Sequence, residues 1–288
     1  HLRTRRQRQM CIRDRITGAV TYLRNHGEKA NCQSTDIIDC CGTGGDQKNT
    51  FNISTAVSFV LAGGGCKVAK HGNRALSSRS GAADVLSALG VRIDAPKETM
   101  AHCIDSIGIG FLFAPEYYPL MKQVGPVRKK LGHRSIFNIL GPLLNPAGAK
   151  RQLIGVFGGW LTETMCSVLK QLGTESAVVV HAKDGYDEFS LTGLNQVSRL
   201  SQGSIENFDF DPRESGYDFC RPEDLLGGSA EENAERLRKC LKGHSMPLDH
   251  MVHINAHGDS WLREKPTLSW MVCYWRSNRF LVERPTRN

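Results

Sequence analysis

The sequence predicts an α/β fold in which a mostly parallel sheet carries helices on both faces. Short apolar runs recur at residues 37–41, 109–114, 153–157 and 177–181, too short for helices and lacking the alternation of a half-exposed strand. Between them lie segments with apolar residues at helical spacing, several closed by glycine. Strand, glycine-bearing loop and helix follow one another repeatedly, as in parallel strands joined by helical crossovers.

In chain order, residues 1–15 (HLRTRRQRQMCIRDR) show no helical or strand periodicity and read as a disordered or foreign basic arm. From Ile16 the pattern changes: Ile16, Ala19, Val20 and Leu23 line one face of a helix ending near Gly27. The run at 37–41 then empties into Gly42-Thr43-Gly44-Gly45-Asp46, and a second turn opens a helix at Asn52-Ile53-Ser54-Thr55. Another short strand leads to a third loop, Lys70-His71-Gly72-Asn73-Arg74 through Ser77-Ser78.

Helices are expected at 80–89, closed by Gly90, and at 96–107, closed by Gly108. A strand at 109–114 precedes one helix running from Pro115 to Leu131, kinked at Pro126. GPLLNP at 141–146 is a tight turn, 153–157 a strand and 161–172 a helix. The strand at 177–181 delivers the chain to the acidic loop Asp184-Gly185-Tyr186-Asp187-Glu188. Strand-like pieces at 196–200 and 204–210 and a helix at 230–241 follow, and residues 258–288 form an atypical, tryptophan-rich tail without a helical stripe.

Charge narrows the function classes. The +5 of residues 1–15 and the +3 of residues 258–288 account for the whole formal net charge of +8. The intervening 36–257 unit and its flanking helix are neutral, which argues against a nucleic-acid partner, whose footprint belongs on the folded domain. No apolar run approaches the roughly 20 residues of a membrane span. The ten cysteines are scattered without CxxC pairs, and read as buried free thiols in a reducing cytoplasm; no signal peptide is expected.

The three glycine-bearing loops sit where open α/β sheets bind phosphorylated ligands. Glycines in 42–46 let backbone N–H groups reach a diphosphate, and the hydroxyls and free N–H groups at Asn52-Ile53-Ser54-Thr55 suit anions. Lys70 and Arg74 add positive charge, and Ser77 and Ser78 add donors. Asp187 and Glu188 are candidate ligands for a hard cation that completes its shell with phosphate oxygens. Arg128, beside Lys129 and Lys130, is either part of a solvated basic face or a planar fork for a carboxylate.

GTGGD, TFNIST, KHGNR with its following SS, FLFAPEYY, VRKKLGHRSIFNILGPLLNP and DGYDE resemble, in order and spacing, the anthranilate phosphoribosyltransferase family of tryptophan biosynthesis. The resemblance covers about 16–257. It implies a nucleoside phosphorylase/phosphoribosyltransferase-like fold: an α/β domain at 36–257 with a small helical domain, here truncated to a remnant at 16–35 and in part supplied by 80–140. It also implies a cytoplasmic homodimer and association with an anthranilate synthase glutaminase subunit.

The implied reaction moves the 5-phosphoribosyl group of phosphoribosyl diphosphate (PRPP) to the amine of anthranilate with the help of Mg²⁺, two ions being expected. Carried over by position, PRPP would meet Gly42, Gly45, Asp46, Thr50, Asn52, Ile53, Ser54 and Thr55. It would also meet Lys70, His71, Gly72, Asn73, Arg74, Ala75, Leu76, Ser77, Ser78 and Ala82. Gly42, Asn73 and Arg128 would contact anthranilate, and Ser54, Asp187 and Glu188 would serve the magnesium ions. No covalent nucleophile is expected; Lys70 and Arg128 act by charge and position. Tyr118 stands where the family commonly has histidine, and Ala82 where it often has serine. Two other readings are a related phosphoribosyltransferase or nucleoside phosphorylase for another aromatic acceptor, and a catalytically silent nucleic-acid-binding paralogue. The neutral domain and complete motifs disfavour the second.

Overall fold

The computed structural model describes residues 2–75, 78–131, 133–242 and 247–263, excluding the side chains of 2–10, 122, 128, 129, 131 and 259–263. In chain order the helices and strands are α1 Leu2–His26, β1 Ile37–Gly42, α2 Ile53–Gly63, β2 Lys67–Gly72, α3 Ala82–Ala88, α4 Lys97–Ile107 and β3 Ile109–Phe113. Then come α5 Ala114–Tyr117, α6 Leu120–Leu131, α7 Phe137–Leu140, β4 Arg151–Gly155, α8 Trp160–Gln171, β5 Ser176–Ala182, β6 Asn195–Ser201 and β7 Ser204–Phe210. Helices α9 Ala230–Leu241 and α10 Leu248–Arg263 follow.

Among the described residues the strands form one sheet in the order β3-β2-β1-β4-β5-β6-β7. The first five are parallel, and β6 and β7 add an antiparallel edge. Successive side chains of a strand point to opposite faces, and this sorts the core into two layers. Ile38, Cys40, Val178 and Val180 pack with Ile53, Val57 and Leu61 of α2 and with Leu237 and Met251 from α9 and α10. Ile37, Cys41, Ala177 and Val179 face the other way, onto Ile16 and Val20 of α1 and Leu161 and Met165 of α8. The expected helices on both faces are therefore present.

Several boundaries differ from the sequence reading, each for a physical reason. Residues 2–15 are helical and continuous with the 16–26 segment, not an arm without regular structure. Once Ile16, Val20 and Leu23 are packed, helix extends at the cost of one residue per hydrogen bond, and Arg and Gln are good helix formers. The helix expected from Pro115 to Leu131 is two, α5 and α6. Tyr118 precedes Pro119, whose ring excludes helical geometry at the residue before it, and Tyr118 takes φ −128 and ψ 68. Lys70, His71 and Gly72, expected in a loop, are the last residues of β2. Helix α10 continues past His257 to Arg263; the tail from 264 on lies outside the described residues. Gly108 closes α4 with φ 90, the left-handed cap expected there.

Candidate active site

Because β1, β2, β4 and β5 are parallel neighbours, the loops that leave their carboxyl ends meet along one edge of the sheet. Chain order reverses direction between β1 and β4, and such a switch point opens a crevice for ligands. The acidic loop after β5 lies across it. A Cβ on Gly155, at the end of β4, would stand 1.6 Å from the Asp187 carbonyl oxygen, and one on Gly42 2.6 Å from Asp187 Oδ2. Glycine at both strand ends is what lets this loop close onto the sheet.

The Gly44 N–H donates to Asp187 Oδ2 at 2.6 Å. Gly44 and Gly45 have positive φ, and so do Gln47 and Asn49, a conformation uncommon for residues with a side chain and concentrated at functional sites. Thr43 ties the loop to β4: its N–H donates to Gly155 O at 2.9 Å and its Oγ1 accepts from the Phe157 N–H at 3.1 Å. Arg134 donates to Gly45 O and lies over the Phe157 ring, 4.2 Å from its centroid.

Lys70 is buried in the strand beside this loop. Its Nζ donates to Cys40 O at 2.6 Å and to Ser54 Oγ at 3.0 Å, joining β2 to β1 and to the first turn of α2. Asp39, fully buried one residue before Cys40, accepts from the His71 N–H at 3.2 Å. Burial pushes the Asp39 carboxyl up, opposed by Lys70 and by hydrogen bonds. Burial also pushes His71 down to about 4, so its imidazole is neutral at ordinary pH.

Three carboxylates converge. Burial raises Asp187 well above the usual range, and the charges of Asp46 and Glu188 raise it further. Glu188 is pushed up to about 7, first by burial and then by Asp46, against the opposing effects of Lys70 and a hydrogen bond from the Ser54 backbone. Asp46 Oδ2 is buried with no hydrogen-bond partner. Mutually repelling carboxylates beside an unsatisfied buried oxygen favour an added positive charge. Among the described residues no group of three or more His, Cys, Asp or Glu side chains is arranged to hold a metal ion, so a cation here would take most of its ligands from water or from a bound phosphate.

The loop after β2 is clamped from behind. Asp84 in α3 accepts from the N–H groups of Ala75 and Gly81, both at 2.9 Å, and from Arg74 at 2.8 Å. Asn73 is exposed, with Oδ1 accepting from its neighbour's N–H, and a Cβ on Gly72 would meet Phe111 and Ala82. Thr50 bridges to Leu226 across the entry to α2. Thr55 Oγ1 is buried without a partner, while Ser78 is exposed at the loop's end. Leu76 and Ser77 lie outside the described residues, as does the side chain of Arg128, whose backbone occupies the last turn of α6.

Hydrogen bonds thus tie the loop after β1 to the acidic loop, Lys70 to the start of α2, and Asn52 to the far end of the loop after β2. Asp39, Ser80, Asp84, Arg134, Asn195, Asn233 and Asn255 support these loops and are not among the residues singled out in the sequence. Asp39 had a signal, a carboxylate inside an apolar strand, and so did Asn233, an amide in the buried stripe of α9.

The family model described as "glycosyl transferase family, a/b domain" matches residues 34–267. An anthranilate phosphoribosyltransferase of Bradyrhizobium diazoefficiens is 50% identical over 243 residues, covering 84% of this chain and 72% of that protein. The chain belongs to the anthranilate phosphoribosyltransferase family. Among solved structures of the family, the Thermus thermophilus enzyme superposes with a TM-score of 0.84 at 40% identity, covering 91% of this chain and 78% of that one. The Saccharomyces cerevisiae enzyme, in complex with PRPP and Mg, gives 0.77 at 26% identity, with coverage of 91% and 79%.

Proposed function

We propose that the protein transfers the 5-phosphoribosyl group of PRPP to the amine of anthranilate, releasing diphosphate, as a step of tryptophan biosynthesis. Beyond family membership, the observation that carries this reading is the meeting of a glycine loop, a lysine-anchored helix start and a carboxylate trio at the β1/β4 switch point. In the reaction the bond from ribose C1 to diphosphate breaks, with the electron pair leaving on the diphosphate. A bond forms between C1 and the anthranilate nitrogen, which gives up one proton. Charge builds up on the leaving group and on an oxocarbenium-like ribose, so catalysis rests on position and fixed charge.

Gly42, Gly45, Asp46, Thr50, Asn52–Thr55 and the segment 70–78 with Ala82 would hold PRPP. Lys70, already fixed between Cys40 O and Ser54 Oγ, places its charge beside the helix start that receives the phosphates. Ser54, Asp187 and Glu188 would hold magnesium, two ions in the full complex, with Asp46 beside them. Bound magnesium would neutralise the departing diphosphate. Gly42, Asn73 and Arg128 would receive anthranilate, with Arg128 at its carboxylate. The buried thiols of Cys40 and Cys41 take no covalent part; burial pushes Cys41 well above the ordinary thiol range.

No described helix is long and apolar enough to cross a membrane. A cytoplasmic homodimer, paired through helical segments at 16–35 and within 80–140, and association with a glutaminase subunit complete the reading. The test is loss of anthranilate fluorescence on mixing protein, PRPP and Mg²⁺. Loss that requires all three supports the proposal, and folded protein that gives none rejects it.

A further inference from the structure

We infer that Asn233 is a positioning residue for PRPP: from α9, outside the three phosphate loops, it fixes the orientation of the Asn52 amide and joins two of those loops into one rigid surface. This rests on the reading of Asn52 and the 70–82 region as the PRPP site.

Asn233 is 1% exposed. Its Nδ2 donates to Asn52 Oδ1 at 2.9 Å and to Ser80 Oγ at 2.8 Å, and its Oδ1 accepts from the Gly228 N–H at 2.8 Å. Ser80 Oγ also donates to Asn52 Oδ1 at 3.3 Å, while Asn52 Nδ2 donates to Ser80 O at 3.2 Å. Two donors therefore converge on Asn52 Oδ1. That decides which end of the amide is oxygen, a choice set by the network around it. With the oxygen held inward, the nitrogen gives one hydrogen to Ser80 O and has a second for an anion. Rotating the amide would set an oxygen lone pair against that anion and leave buried donors unpaired.

The scaffold behind Asn233 is tied to the same loop through backbone. Phe51 N–H donates to Leu225 O at 3.0 Å and Gly227 N–H to Asn49 O at 2.7 Å. The segment from Leu225 to Asn233 thus grips the entry to α2 at two points and, through Ser80, the far end of the loop that follows β2. None of these contacts involves the acidic loop or α6, and Asn52 is assigned to PRPP and not to anthranilate, so the effect falls mainly on PRPP.

The test compares Asn233→Ala, Asn233→Asp, Ser80→Ala and the Asn233→Ala/Ser80→Ala double variant by steady-state kinetics, with folding followed by circular dichroism. The inference predicts that Asn233→Ala raises KM for PRPP by about tenfold and Asn233→Asp by more, since its carboxylate faces Asn52 Oδ1. KM for anthranilate should stay within about twofold, and the double variant should fall short of the product of the two singles, as for groups in one network. A uniform fall in active protein with both KM values unchanged would mean a merely structural role and overturn the inference. If Asn233→Ala does not fold, Ser80→Ala alone must still raise KM for PRPP selectively, and failure to do so overturns it equally. Wild-type protein inactive with PRPP would instead reject the proposed function.

Discussion

Replacing Glu188 with Gln in metal-free protein tests the electrostatics of the acidic loop. In the folded chain the Glu188 carboxyl is raised from its ordinary 4.5 to about 7. Between those values the folded state binds more protons than the unfolded one, so the stability that Glu188 contributes is full below about pH 4.5 and is lost as pH rises through 7. At about 1.4 kcal/mol for each tenfold change in proton affinity, the loss amounts to roughly 3 kcal/mol. His71, pushed down to about 4, works in the opposite sense, gaining stability as pH rises toward 6.5, while Asp187 and Asp39, raised by burial, add to the loss, so the wild-type profile alone does not report Glu188. The difference between Glu188→Gln and wild type reports this carboxylate together with the charge it imposes on Asp187. Thermal unfolding in chelator should favour the variant progressively from about pH 5 to about pH 8, by roughly 6 to 12 °C for a domain of this size. Magnesium with diphosphate should then stabilise wild type more than the variant. A difference that is constant or shrinks with rising pH would refute the crowded-carboxylate account.

Other substitutions address other parts of the site. Lys70→Met should lower kcat/KM by about 100-fold or more and destabilise the fold by about 3 kcal/mol, because Asp39 loses its charge partner; adding Asp39→Asn should restore the melting temperature but not activity. Arg128→Ala should raise KM for anthranilate at least tenfold while leaving KM for PRPP within about twofold, as expected for a carboxylate fork. Gly155→Ala should destabilise by about 3 kcal/mol or more in denaturant titrations, because its Cβ meets backbone and not a flexible side chain. Cys40→Ala and Cys41→Ala should each keep turnover within a few-fold, and total loss from a folded variant would reveal covalent chemistry.

Much of this architecture was legible in the sequence because strands buried on both faces and glycine-closed helices leave one-dimensional marks. Cys40 and Cys41, neighbours in sequence, face opposite core layers, as period-two geometry requires. The phosphate loops were legible because their glycines answer to local geometry. Several of the residues missed act on backbone outside their own element. Asn255 pairs with both the N–H and the C=O of Phe189, at 2.9 and 2.8 Å, and Asn195 does the same for Ser190, at 2.8 and 3.0 Å, holding the chain just past Glu188. An asparagine in a helix or at the start of a strand carries no sign of which backbone outside its element it will satisfy. The helical state of residues 2–15 was missed for a related reason, since helix there is propagated from a packed neighbour and not encoded in an apolar stripe.

Simultaneous measurement of diphosphate released and anthranilate consumed, with protein, PRPP and Mg²⁺ present, tests the central claim most directly. Equal amounts of each, both abolished when anthranilate or the metal is left out, are predicted. Diphosphate release that continues without anthranilate would contradict it, because the site would then be cleaving PRPP with water and not transferring its ribosyl group to the amine.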